Sequence, residues 1–142
     1  MSQWLQQTVV LPAVSPGYHL VTDHIERELE QLHTFRVGLA HLFMQHTSAG
    51  LSLNENADPT VRQDFAGYFR QAVPEGAPYF KHTLEGADDM PAHLKSSILG
   101  CSLTLPVKDG RFHLGTWQGI YLCEFRRRAG RRKVVVTLHG QQ

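Results

Sequence analysis

From Cys101 onward the chain reads as one period-two run after another, separated by turn residues, and this pattern limits the folds open to it. Lys108-Asp109-Gly110 is a hairpin signal between Ser102–Val107 and Arg111–Leu114. Gly115–Phe125 follows as a further strand, in which Gly115 and Gly119 point to bulges or a close approach of backbone. Ala129-Gly130 turns the chain into Arg132–Leu138, a Val-rich last strand. Strands joined by turns this short pair antiparallel.

The earlier part adds helices. Trp4–Leu11 reads as a strand closed by Pro12, Pro16 and Gly17. A helix near Asp23–Leu32 puts Ile25, Leu29 and Leu32 on one stripe. Arg36–His46 carries apolar residues on both faces, which predicts a strand covered on both sides. Ala49-Gly50 breaks it, and Leu51–Glu55 resumes. Asp58-Pro59 joins a good N-cap to the residue favoured at the first helical position, and Val61, Phe65, Tyr68 and Phe69 form the stripe that helix buries. Residues 73–88 hold Pro74, Gly76, Pro78 and Gly86 and read as a long loop, of the kind that often carries function. A further helix starts at Asp89-Met90-Pro91 and stops at Gly100. The order predicts an α+β fold: a mostly antiparallel, sandwich-like sheet core with about three helices, in a single domain over residues 1–142.

Composition excludes several classes. With 42% hydrophobic residues the chain falls in the globular range. No apolar run approaches the ~20 residues of a membrane span, and Met1-Ser2-Gln3-Trp4 lacks the features of a signal peptide. Two Cys without a CxxC pair fit the reduced cytoplasm, with Cys101 and Cys123 read as small buried residues. Residues 1–107 carry 6 Lys/Arg against 11 Asp/Glu, and residues 108–142 carry 8 against 2. Arg126-Arg127-Arg128 and Arg131-Arg132-Lys133 supply most of that positive charge. They flank a turn without interleaved aromatics, so they read as a solvated hairpin rather than a nucleic-acid surface.

Nine His in 142 residues point instead to metal or acid–base chemistry. Three motifs could carry it. In His46-Thr47-Ser48-Ala49-Gly50 and Asn54-Glu55-Asn56-Ala57-Asp58, hydroxyls and carboxylates meet a helix N-terminus, where Glu55 could act as a base and Asp58 reads as a cap. His82, on the long loop, and His93, in the first turn of the next helix, suit an imidazole-rich divalent-metal site with Glu85, Asp88 and Asp89 between them. The plainer reading of Asp88 and Asp89 is helix capping. His93, Ser97 and Gly100 share a small polar face, natural for a site wall. In Leu114-Gly115-Thr116-Trp117-Gln118-Gly119-Ile120, Trp117 could stack on a flat heterocycle and Gln118 hydrogen-bond its edge, although a core Trp is the plainer reading. His19, His24, His33, His113 and His139 read as surface or tail residues, and His41 as a packed strand residue.

Taken in order, these motifs, together with Glu85-Gly86-Ala87-Asp88-Asp89-Met90-Pro91-Ala92-His93-Leu94-Lys95, resemble the YjbQ-like family, also called the secondary thiamine-phosphate synthase family. The resemblance runs from about Trp4 to Gly140, with Ser48 where that family usually has Thr. It implies a homotrimer and a weak synthase activity that joins an aminopyrimidine pyrophosphate to a thiazole phosphate and releases pyrophosphate. On that reading His46, His82 and His93 hold a divalent ion, zinc or magnesium. Glu55 and His46 are the catalytic candidates. Ser48, Asn54, Lys95, Ser96, Trp117, Gln118 and Arg132 contact a small phosphorylated heterocyclic substrate. A metal-dependent hydrolase of a small phosphate or amide, and a non-catalytic metal- or metabolite-binding protein, stay open on the same residues.

Overall fold

The computed structural model describes Met1–Gln142. In chain order it contains β1 (Ser2–Val10), β2 (Gly17–Leu20), α1 (Thr22–Glu28), a 3-10 turn (Leu32–Thr34), β3 (Val37–Met44), β4 (Ala49–Glu55), α2 (Pro59–Ala72), α3 (Asp89–Leu99), β5 (Ser102–Lys108), β6 (Arg111–Phe112), β7 (Gln118–Glu124) and β8 (Lys133–Gln141). The strands form a five-stranded sheet of order β1-β8-β3-β5-β6 and a three-stranded sheet of order β2-β7-β4. Every pairing is antiparallel. The α+β, sandwich-like architecture with three helices is therefore the observed one.

Alternation builds the main core. Ala40, Leu42 and Met44 of β3, Leu105 and Val107 of β5 and Val134, Val136 and Leu138 of β8 point inward from the large sheet. Leu51, Ile120 and Leu122 meet them from the small sheet, and Ile25, Leu29, Leu32 and Phe35 close one end. Burying one such aliphatic side chain stabilises the fold by about 1.5–3 kcal/mol. The opposite face of the small sheet is covered by α2 and α3, where Tyr18, Tyr121, Cys123 and Phe125 pack with Phe69 and Ala92.

Several expectations change. The strand covered on both faces is β7, in which Gly119 through Glu124 are all buried, because it is the middle strand of the middle layer. In β3 only one face is covered. Val37, Leu39 and Phe43 are exposed on the outside of the large sheet, as is His41. The Gly17–Leu20 segment, to which the sequence pattern assigns no element, is a short edge strand held by its pairing with β7. Ala49-Gly50 does not break the chain but opens β4. On α2 only Phe69 is buried, Phe65 is half-buried and Tyr68 is exposed. Cys123 is buried, and its thiol is pushed up to about 12 by that burial, whereas Cys101 is exposed. Asp58 caps α2 as read: its Oδ1 accepts from the Thr60 amide at 2.9 Å and from the Thr60 hydroxyl at 2.7 Å. Gly119 has a steric reason, since a Cβ there would lie 2.6 Å from Leu20 Cδ2. No helix is long and apolar enough to cross a membrane.

Candidate metal centre

The densest chemistry lies where the loop before α3 folds over its first turn. Asp89 and His93 stand four residues apart on α3 and share a face. The loop returns His82 to the same point. His82 Nε2 lies 2.6 Å from Asp89 Oδ2, and His93 Nε2 lies 3.0 Å from the same oxygen. The three donor atoms all fall within 4.8 Å of one another. His93 is aimed by its other nitrogen: Nδ1 is 2.8 Å from the Thr47 carbonyl, which only accepts, so Nδ1 carries the proton and Nε2 is left for the cluster. Two ring nitrogens converging on one carboxylate oxygen demand positive charge among them, from protons on the rings or from a cation. Two imidazoles and one carboxylate are a donor set that fits zinc.

Asp89 is 3% exposed. Burial raises its carboxyl, but the His82 hydrogen bond, the nearby His93 and Arg126 outweigh that and hold it below the ordinary value. Arg126 binds the other oxygen, Asp89 Oδ1, through Nη1. Its Nε donates to Asp88 Oδ2 at 3.2 Å and its Nη2 to the Glu85 carbonyl at 3.0 Å. The Arg127 amide also donates to Asp88, at 2.9 Å. Burial raises the Asp88 carboxyl too, and this amide with the Arg126 charge reverses the effect. Asp88 and Asp89 thus do not cap α3 with their side chains; they tie the loop to the β7–β8 connection. That connection is not a solvated hairpin, since Arg126 and Arg132 turn inward and Arg127 pairs with Glu75.

The remaining candidates fall into separate places. His46 stands beside this centre but outside the donor triplet, with Nε2 accepting from the Lys133 amide at 2.9 Å. Burial and then Arg132 lower its pKa. His46, Thr47, His93, Ser96, Ser97 and Gly100 line a groove of about 860 Å³. Within it the Ser96 hydroxyl donates to the Ala49 carbonyl at 2.9 Å. Ser48 Oγ accepts from Arg132 Nη2 at 2.9 Å, and Arg132 itself is buried against Glu124 at 2.7 Å. Lys95 lies over the Phe125 ring, two residues beyond His93 and away from the triplet.

Glu55, Asn54, Trp117 and Gln118 form a different group at the far end of β4. The six residue-to-residue steps of strand from Ala49 to Glu55 span roughly 20 Å. The Glu55 Oε2 accepts from the Ala57 and Asp58 amides at 2.9 and 2.8 Å. Asn54 Oδ1 accepts from the Glu55 amide at 2.8 Å. Gln118 Oε1 accepts from the Gly115 amide at 2.8 Å, and Trp117 is 65% exposed in the turn before β7 rather than in the core. The sequence places Asp89 among the carboxylates between the two histidines but outside the expected ligand set, and it gives Arg126 no part in the centre. The four-residue spacing of Asp89 and His93 is the available signal for the first; nothing local marks the second.

With fold and geometry in place, the comparisons agree on one class of protein. The family described as "UPF0047 protein YjbQ-like" matches residues 7–141. The chain belongs to the YjbQ-like (UPF0047) family. It is 53% identical over 138 residues to UPF0047 protein YjbQ of Escherichia coli O157:H7, covering 97% of this chain and 99% of that one. It is 39% identical over 136 residues to UPF0047 protein sll1880 of Synechocystis, covering 96% and 92%. Among solved structures, the conserved hypothetical protein TT1486 of Thermus thermophilus superposes with a TM-score of 0.81 at 37% identity, over 92% of this chain and 97% of that one. A YbjQ-like protein of Sulfolobus solfataricus gives 0.85 at 22% identity, over 99% and 100%, a likeness of fold alone.

Proposed function

We propose that this protein is a cytoplasmic, metal-dependent enzyme acting on a small phosphorylated heterocycle, with His82, Asp89 and His93 as the metal ligands. The observation that carries the reading is the convergence of two imidazoles on one buried carboxylate oxygen. The donor set favours zinc, since magnesium takes oxygen ligands almost exclusively. When bound there, a divalent cation supplies positive charge for a departing pyrophosphate. The chain's own residues do the rest of the positioning. The Thr47 carbonyl orients His93, Arg126 holds the far oxygen of Asp89, and the groove beside the cluster presents His46 and Ser96 to a ligand. The two cysteines, free in the structure, fit a reducing compartment.

The reaction that the sequence resemblance points to is the thiamine-phosphate synthase one, pyrophosphate leaving as the aminopyrimidine joins the thiazole phosphate. We propose a homotrimer as the working form. Its support is the outer face of the large sheet, where Val37, Leu39 and Phe43 are exposed together. Glu55, Trp117 and Gln118, roughly 20 Å along β4 from the cluster, serve it only from a neighbouring subunit.

Elemental analysis of the purified, zinc-loaded protein tests the metal. About one zinc per subunit is expected, falling towards zero in His82→Ala and Asp89→Asn. A zinc content unchanged by those substitutions overturns the site. Incubation with both heterocyclic phosphates, with and without chelator, tests the reaction, with chelator-sensitive thiamine phosphate as the expected product. Chelator-sensitive release of phosphate without coupling assigns the same centre to hydrolysis. Stoichiometric zinc without turnover assigns it to binding alone.

A further inference from the structure

A second cleft, of about 390 Å³, opens between β2, α2, α3 and the start of the β7–β8 connection. His82 and His93 do not line it. Its wall is aromatic: Tyr18 lies 6.3 Å from Phe69, stacked, and 6.2 Å from Phe125, edge-on. Over that wall stands the Lys95 ammonium, 5.5 Å from the centre of the Phe125 ring. Arg70, from the last turn of α2, lines the same space.

The charges here are unequal once their pairings are followed. The acids that border the cleft are already engaged: Glu75 by Arg127, Asp88 by Arg126 and the Arg127 amide, and Glu124 by Arg132. Arg70 and Lys95 have no ion-pair or hydrogen-bond partner. The Tyr18 hydroxyl, on a side chain from the same wall, is buried with no hydrogen-bond partner, in a residue 8% exposed. Buried hydroxyls are normally satisfied by protein, water or ligand. Two unpaired cations over an aromatic wall form one recognisable combination. The cations call for an oxyanion, and the rings call for a flat apolar body attached to it. The volume matches a small-molecule site.

We infer that this cleft binds a small ring compound bearing a phosphate or carboxylate, with Arg70 and Lys95 on the oxyanion and Tyr18, Phe69 and Phe125 against the ring. The inference stands independently of the metal reading. Calorimetric titration with phenyl phosphate, benzoate and inorganic phosphate, in the presence of chelator, tests it. Saturable binding of phenyl phosphate is expected, at least about tenfold tighter than inorganic phosphate because the ring adds buried apolar area. Benzoate binding as tightly as phenyl phosphate assigns the carboxylate source, and weaker binding assigns the phosphate. Lys95→Met and Arg70→Gln should each weaken phenyl phosphate about tenfold, as loss of a charge-assisted contact does. Arg70 is exposed, so its substitution tests the site without disturbing the core. The proposal falls if phenyl phosphate binds no better than inorganic phosphate, or if both cation variants bind like the parent.

Discussion

Two arginines from one connection meet carboxylates in opposite ways. Arg132 and Glu124 form a closed pair, with both Glu124 oxygens taken by Arg132 at 2.8 and 2.7 Å. Arg132 Nη2 also donates to the Ser48 carbonyl and hydroxyl. Both residues are buried. Arg126 and Asp89 look similar in sequence terms but form an open arrangement. Arg126 neutralises one Asp89 oxygen, while the other is shared by two half-exposed imidazoles. Burial of charge thus builds structure when every lone pair is matched within the chain. It leaves an open arrangement when one oxygen faces half-exposed imidazoles, the geometry on which the proposed metal site rests.

Breaking the closed pair should cost most. Glu124→Gln leaves the Arg132 charge buried and imperfectly matched, and should destabilise the fold by about 3–5 kcal/mol, read by chemical denaturation. An equal loss from the exposed pair Arg127–Glu75 would erase the distinction, since such pairs contribute about 0–1 kcal/mol. Next in size, His93→Ala should abolish stoichiometric zinc while lowering stability less than Glu124→Gln does. A zinc-loaded His93→Ala protein would show that the triplet is an ordinary ion-pair network. Arg126→Gln comes third: zinc should still bind, but about 10–100-fold more weakly, because Asp89 loses the group that orients it. Competition with a chromophoric chelator measures this. A last and gentler test uses the two thiols as reporters. Cys101, exposed on the groove beside the cluster, should react with a thiol reagent in the native protein. Cys123, buried beside Glu124 and with its thiol raised to about 12, should react only after unfolding. Rapid labelling of both would show that the closed region is not dry.

What can be read from residues alone follows the range of the interactions concerned. The Asp58-Pro59 cap is legible because its hydrogen bond closes within two residues. The stop at Gly100 is legible because its φ of 101° suits a residue without Cβ. His82 and His93 stand out as residue types, whereas Asp89 is only one of three carboxylates between them, and an Asp at a helix start caps far more often than it binds. The Arg run misleads for a different reason. Six basic residues about a turn resemble a solvated tip, and only the fold shows that Asp88, Asp89 and Glu124 lie within reach. β2 is invisible because four residues have no periodicity to detect, and its strand conformation comes from β7.

Alternation, capping and backbone preference are local, and they suffice for the element types, the antiparallel α+β class, the helix boundaries at Asp58 and Gly100 and the membership of a family. Which strand is buried on both faces, and which arginine is closed in and which is open, emerge only once the sheets and helices pack. Packing alone also sets Glu55 and Trp117 apart from the histidines. Those outcomes depend on what approaches across the sheets from distant parts of the chain, and no short window of residues encodes that approach.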